Sequence, residues 1–193
     1  MGKIFYHGSN TIIQKPDLSK SRKDIDFGVG FYLTADYNMA AKWACKKNKS
    51  ICNRYNLNME GLSVYTFELD REWLDFVIAN RNEEIDKNNK FSKYDVLIGA
   101  IADDRLYNTI EMYESGFIPA FKAIEIMNCM GYGKQIVLKT EKAIENLELL
   151  HFERIKGEKK QEFKELYKNE RKESITRTEQ LIKEYRDQQD RER

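Results

Sequence analysis

Histidine, tryptophan and proline are scarce in this 193-residue chain, at two each, and cysteine stops at three. Two histidines confine any Ser-His or Cys-His catalysis to His7 or His151, and neither sits in a recognisable nucleophile motif. Cys45, Cys52 and Cys129 are odd in number and lack paired Cys-x-x-Cys spacing, which argues against a disulfide framework and against a zinc site. They read as reduced thiols, one or two of them buried. No metal is expected, even from Cys45 and Cys52 with a histidine. No run of about 18 apolar residues occurs, and Met1-Gly-Lys leads directly into a strand-like segment without the apolar stretch of a secretory signal. A soluble, cytoplasmic protein with no membrane partner is expected. An excess of one charge is missing too: 33 Lys+Arg stand against 32 Asp+Glu, a formal net charge of +1. No global field drives the chain onto nucleic acid, so nucleic-acid binding would need a local basic patch. Gly28-x-Gly30 lacks the third glycine of a dinucleotide fingerprint, no Walker-type Gly-Lys-Ser/Thr occurs, and no internal repeat is present.

What is present is an alternation of short apolar runs and amphipathic stretches. Lys3–Tyr6 reads as a strand that Gly8-Ser9-Asn10 would end, with His7 at its exit. FGVGFYLT, from Phe27 to Thr34, reads as a bent loop entering a strand, with Thr34 or Asp36 capping a helix whose apolar face includes Met39, Ala40, Trp43 and Ala44. Residues 49–61 look like a polar loop, and 62–69 alternate as a half-buried strand. Trp73, Leu74, Val77 and Ile78 mark a helix over 71–79, and YDVLIGAIA (94–102) has the continuous apolar character of a central strand. Asp103-Asp104 would cap a helix running to Ser115, Ile118–Met130 makes another, 134–140 and 147–155 read as strands, and 141–146 as a brief helix. The sum is a mixed α+β domain over residues 1–156. From about Gly157 the composition turns to Lys, Arg, Glu, Asp and Gln, so 157–193 is expected to be a charged helical extension. Its apolar stripe of Phe163, Leu166, Tyr167, Ile175, Leu181, Ile182 and Tyr185 is broken by Glu170, Ser174 and Thr178. A solvated helix partly docked on the domain and fraying at its end is expected, with contact to a partner protein or antitoxin as the sharper alternative.

Three stretches together resemble the ADP-ribosyltransferase superfamily: YHGS at 6–9, GVGFYLT at 28–34 with the following helix, and KQIVL at 134–138. The likeness is to the diphtheria-toxin and poly(ADP-ribose) polymerase branch, with His, Tyr and Glu on successive strands, and nearest to a bacterial group of unknown function within it. That resemblance implies a split mixed sheet and NAD+ as the substrate. Trp43 stands eleven residues beyond Tyr32, the separation at which that branch carries a second aromatic. Two aromatics so placed sandwich a flat nicotinamide, since stacked pairs add about 0.5–1.5 kcal/mol beyond area burial. The resemblance assigns His7 a hydrogen bond to the adenosine ribose and the Gly8 backbone a pairing with the carboxamide. Ser9 either contacts the adenosine side or caps its turn. Arg22 either meets the pyrophosphate, as a guanidinium fork can, or is a solvated loop charge.

Two departures stand out. Gln135 occupies the place where transferases of this branch commonly carry the glutamate that offsets positive charge as the glycosidic bond breaks. Losing a preorganised electrostatic contact costs about 3 kcal/mol, a hundredfold in rate. The resemblance therefore implies transfer of a single ADP-ribose at modest rate to an unknown protein or nucleic-acid acceptor, with release of nicotinamide, or reliance on another carboxylate: Asp103, Asp104 or Glu141. Hydrolysis of NAD+ is a second outcome, and a binding module that kept the pocket and lost its anion is a third. A toxin or defence effector could use either enzymatic route. Ala40 replaces the serine that bonds the carboxamide, so one orienting contact is missing.

Overall fold

The computed structural model describes residues 2–84, 90–102, 107–129 and 133–191. Among them, seven strands form one mixed sheet: β1 (Lys3–Ser9), β2 (Phe31–Thr34), β3 (Ile51–Leu57), β4 (Val64–Thr66), β5 (Val96–Ala100), β6 (Lys134–Leu138) and β7 (Leu147–Arg154). The helices are α1 (Tyr37–Cys45), α2 (Arg71–Arg81), α3 (Tyr107–Glu114), α4 (Ala120–Cys129), α5 (Glu141–Glu145) and α6 (Gly157–Arg191). The expected α+β class is what the chain adopts. The strand order is β4-β5-β6-β2-β1-β3-β7, antiparallel throughout except for the parallel pair β4 and β5.

The sheet is nearly divided in its middle. β1 registers with β3 along its whole length, from Lys3 opposite Leu57 to Ser9 opposite Ile51, and β2 registers with β6 from Phe31 opposite Leu138 to Thr34 opposite Gln135. Between β1 and β2 the registered pair is Tyr6 with Thr34 alone. Two half-sheets thus meet at a point, and His7, Gly8 and Ser9 run on without a registered partner in β2.

Two strand boundaries differ from expectation for one reason. β1 continues through Gly8 and Ser9, and residues 51–57, expected as loop, are the central strand β3 that holds them. The segment ICNRYNL looks polar because Asn53 is in it, yet Asn53 is fully buried. Its side chain satisfies the turn after β1: Oδ1 accepts from Ile13 N at 3.2 Å, and Nδ2 donates to the Thr11 carbonyl at 3.2 Å and the Ser9 hydroxyl at 3.1 Å. A buried amide whose donors and acceptors are all used carries no penalty that would keep it out of a sheet.

The core lies on both faces of the sheet. Phe27, Phe67, Trp73, Phe76 and Phe91 gather around α2, and Phe5, Phe31, Leu33, Tyr55 and Leu138 fill the opposite layer. Asp36 starts α1 by accepting from Asn38 N at 2.8 Å, while Thr34 Oγ1 accepts from Asp36 N at 3.1 Å, so both candidate caps act in series. Helix α1 then presses on β1 at Gly8, where a β-carbon would stand 2.0 Å from the Ala40 carbonyl oxygen. Glycine at 8 is therefore required by helix packing, and this contact brings α1, with Trp43, to the edge of the seam.

Helix α6 uses the positions that looked like breaks. Glu170 receives both its carboxylate bonds from Lys42, at 2.7 and 2.8 Å, and Ser174 and Thr178 are buried. Phe163 packs edge-on to Tyr37, Lys46 lies 4.0 Å over the Tyr167 ring, and farther along Leu181 is buried in the α2 core, flanked by Ile182 and Tyr185. The seam runs 163, 167, 170, 174, 178, 181, 185 in steps of three and four, one face of a helix. Leu166 and Ile175, expected in the stripe, are exposed instead. Because the Lys42 side chain is only 7 % exposed, Glu170→Ala strands a buried cation. With Glu170 itself a third exposed, the expected cost is about 1–2 kcal/mol, measured as a lowered urea midpoint that Glu162→Ala, on the outer face, does not reproduce.

Candidate active site

The seam opens onto a cleft of about 380 Å³ whose walls include Gly8, Tyr32, Trp43 and Gln135, together with Arg22, Asp26 and Arg81. His7 lies in an adjoining cavity of about 560 Å³, and Arg22, Ile25 and Tyr32 border both spaces. All of the expected residues except Ser9 are thus distributed over two chambers that share one wall. Tyr32 and Trp43 are both half-buried, which sets them apart from the fully buried core aromatics such as Trp73.

Tyr32 is held from its hydroxyl end. The oxygen accepts from Phe27 N at 3.0 Å and donates to the Gly28 carbonyl at 2.7 Å, so the phenol pins the loop that precedes its own strand. Gly28 takes a φ of 62° to make that turn. The Lys139 ammonium donates to the Phe27 carbonyl on the far side of the loop, and burial lowers its pKa to about 8. Burial also raises the Tyr32 phenol well above its ordinary value, so the ring stays neutral and keeps its donor.

His7 bridges the seam. Its Nδ1 lies 2.7 Å from the Tyr32 carbonyl oxygen, which can only accept, so Nδ1 carries the proton and Nε2 is left as an acceptor. The ring stacks on Phe31 at 4.5 Å between centroids. Burial holds its pKa below the ordinary value, with the Tyr32 bond opposing, and the imidazole is neutral at pH 7.

Gln135 sits over a buried ion pair. Its Nε2 donates to the Ala100 carbonyl at 3.1 Å and, at 3.4 Å, to Asp26 Oδ2, which also accepts from Ala102 N at 3.2 Å. Arg81 donates to Asp26 Oδ1 from Nη2 at 2.6 Å and from Nε at 3.0 Å. The two side chains are 14 % and 10 % exposed, so solvent screens the pair little. Burial raises the Asp26 carboxyl and the guanidinium opposes it; bonds this short fit the ionised pair. With both amide hydrogens of Gln135 taken by acceptors, Oε1 is the atom left for a ligand.

The remaining expectations divide. Arg22 lines both chambers while pairing with Asp24 at 3.0 Å. Ser9 lines neither: its hydroxyl bonds the Thr11 carbonyl and receives Thr11 N and Asn53 Nδ2, so it serves the turn. Ala40 is fully buried against Gly8 and contributes no wall. Glu141 is exposed in the first turn of α5, beyond the far end of β6 from Gln135, and is not the missing anion. Asp103 and Asp104 lie outside the described residues, as does the side chain of Cys129. Cys45, the last residue of α1, and Cys52 on β3 are free and buried in one cluster, and neither lines a chamber. The carboxylate that does reach Gln135, Asp26, was missed, and so was Arg81. Asp26 stands two residues before the GVGFYLT stretch, and that proximity was the available signal; nothing in the α2 sequence marks Arg81.

The chain belongs to the family described as protein of unknown function DUF3990, whose model matches residues 3–149. Neither the curated proteins nor the solved structures give a match. The match spans both chambers and stops before α6. No helix among the described residues is long and apolar enough to cross a membrane.

The depressed histidine yields a pH dependence of known sign. Above an ordinary pKa of about 6.5 both folded and unfolded chains carry neutral His7; as pH falls further the unfolded chain binds the proton first, so stability declines until the folded pKa is passed. His7→Asn keeps an N–H donor for the Tyr32 carbonyl and removes the titration. Urea midpoints of the two proteins at pH 7 and pH 5.5 are expected to show a smaller acid loss in the variant.

Proposed function

We propose that the protein binds NAD+ and transfers a single ADP-ribose to a macromolecular acceptor, releasing nicotinamide, as a cytoplasmic mono-ADP-ribosyltransferase. The observation that carries this is the meeting of Tyr32, Trp43, the Gly8 backbone and Gln135 on one cleft, from four separate stretches of chain, at a break in the sheet. A flat, cationic pyridinium suits that cleft: the aromatic faces favour both its shape and its charge.

Each residue then has one task. Tyr32 and Trp43 clasp the nicotinamide and Gly8 pairs with its carboxamide. His7 Nε2 accepts from a hydroxyl of the adenosine ribose in the second chamber, and Arg22, on the border of both, meets the pyrophosphate between them. Gln135 Oε1 accepts from a hydroxyl of the nicotinamide ribose. As the bond from C1′ to the ring nitrogen breaks, its electron pair leaves with nicotinamide and positive charge grows on the ribose; the acceptor's nucleophile then bonds C1′ and gives its proton to water. Asp26, behind Gln135, is the anion facing that charge. Arg81 neutralises much of it, which supports slow, single transfer rather than chain elongation.

That same compensation favours a second reading, in which the cleft binds NAD+ with little or no turnover or passes ADP-ribose to water. Incubation with labelled NAD+ and a cell lysate separates the three. Label on a macromolecule is the expected result, free ADP-ribose alone means hydrolysis, and a raised melting temperature without consumption means binding only. Trp43→Ala is expected to weaken NAD+ about tenfold, the value of one stacked face. Turnover that survives Tyr32→Ala and Trp43→Ala together would remove the mechanism.

Gln135→Glu sharpens the role of Asp26. Restoring the glutamate of the transferase pattern sets a second carboxylate against the first and deletes both amide donors. The expected outcome is a lower melting temperature and no gain in turnover; faster turnover would show that the charge at 135, and not Asp26, is what limits the reaction.

A further inference from the structure

A third cavity, of about 670 Å³, lies where the turn after β1, the residues entering β3 and the start of α6 come together. Lys49, Arg154, Lys156 and Lys160 line it, and among its described lining residues none is acidic. In a chain whose cations and anions are equal to within one, that is a local segregation of charge. None of the four makes an ion pair with a carboxylate among the described residues, although the neighbouring Lys159 is paired with Glu153 at 2.6 Å and Lys42 with Glu170. Lys160 donates instead to the carbonyls of Lys47 and Asn48, at 3.1 and 2.7 Å, and the Arg154 guanidinium lies 4.9 Å over Phe152.

Repulsion among four cations on one basin is unfavourable unless an anion completes it. The N-terminus of α6 at Gly157 lies on the basin as well, with Glu158 of its first turn outside the lining. The floor is apolar, from Ile51 and Ile155, both buried, with the partly exposed Ile12 at the rim. Charge around an apolar floor fits phosphates at the edge and bases or sugars within, and the volume is that of a site for a nucleotide-sized ligand. The cations come from the loop before β3, the end of β7, the link that follows it and α6, and Lys49, Arg154 and Lys156 are exposed, an adaptable ring suited to successive phosphates rather than to one small ion. A duplex is too broad to enter such a cavity; a single strand is not. Thr11 and Ile12 border both this basin and the His7 chamber, so a strand lying here adjoins the proposed NAD+ site.

We infer that the basin holds the phosphate backbone of a single-stranded nucleic acid, and that this strand is the acceptor of the ADP-ribosyl group. The second half rests on the function proposed above; the first does not. The test uses the full chain and a fluorescent single-stranded oligonucleotide, with the combined variant Lys49→Gln, Arg154→Gln, Lys156→Gln, all on exposed side chains outside the NAD+ machinery. Anisotropy is expected to show salt-dependent binding that the variant weakens at least about tenfold, with the slope of log affinity against log salt shallower by about 2, from about 0.7 per lost phosphate contact. The melting shift with NAD+ is expected to be the same in both proteins. Equal oligonucleotide affinity in parent and variant overturns the inference, whatever NAD+ does. Inorganic pyrophosphate binding more tightly than the strand, duplex binding as tightly, or poly-L-glutamate binding as well, each overturns the single-stranded assignment. Cation-dependent strand binding by a protein that never consumes NAD+ supports the basin and removes the function above.

Discussion

A histidine side chain stands where a main-chain ladder would ordinarily run. Beyond Tyr6 and Thr34 the two half-sheets part, and the bond from His7 Nδ1 to the Tyr32 carbonyl carries the connection across. Everything proposed for the chemistry depends on that parting. A continuous sheet would cover the Gly8 backbone. A wider gap would separate the first chamber from the second.

The seam is kept narrow and open by packing from both sides. On one side Gly8 lets α1 approach so closely that no other residue would fit, which sets Trp43 at the edge. On the other, the loop before β2 is tied by the Tyr32 hydroxyl, by Lys139 and by Asp26, whose partner Arg81 comes from the end of α2. The ion pair links the loop, α2, β5 and β6 in one buried cluster. Helix α6 then straps α1 to the α2 core through Lys42–Glu170 at one end and Leu181 at the other, so the appended helix braces the two halves that the sheet barely joins.

The electrostatics of the site follow from the same cluster. A lone glutamate on β6 would present an uncompensated charge to the cleft, whereas Gln135 over Asp26 and Arg81 presents an oriented carbonyl oxygen backed by a neutralised pair. Such a site has firm geometry and a weak field, and the proposed slow, single transfer rests on this difference.

Local chemistry in the sequence was enough for the α+β class, for most helices, and for β2, β5, β6 and β7, because apolar periodicity and cap residues act over a few positions. The family resemblance was likewise carried by short stretches, and it singled out His7, Gly8, Tyr32, Trp43 and Gln135. Tertiary structure decided the rest. Asn53 reads as loop until the turn it satisfies is folded beside it, so β3 was invisible. Glu170, Ser174 and Thr178 read as breaks until α1 supplies Lys42 to the first and the folded domain buries the other two. Asp26 and Arg81 are fifty-five positions apart, and their meeting beneath Gln135 is a long-range contact that no window along the chain contains. A basic basin in a neutral chain is of the same kind: composition sums charge over the whole molecule, while folding decides which charges share a wall.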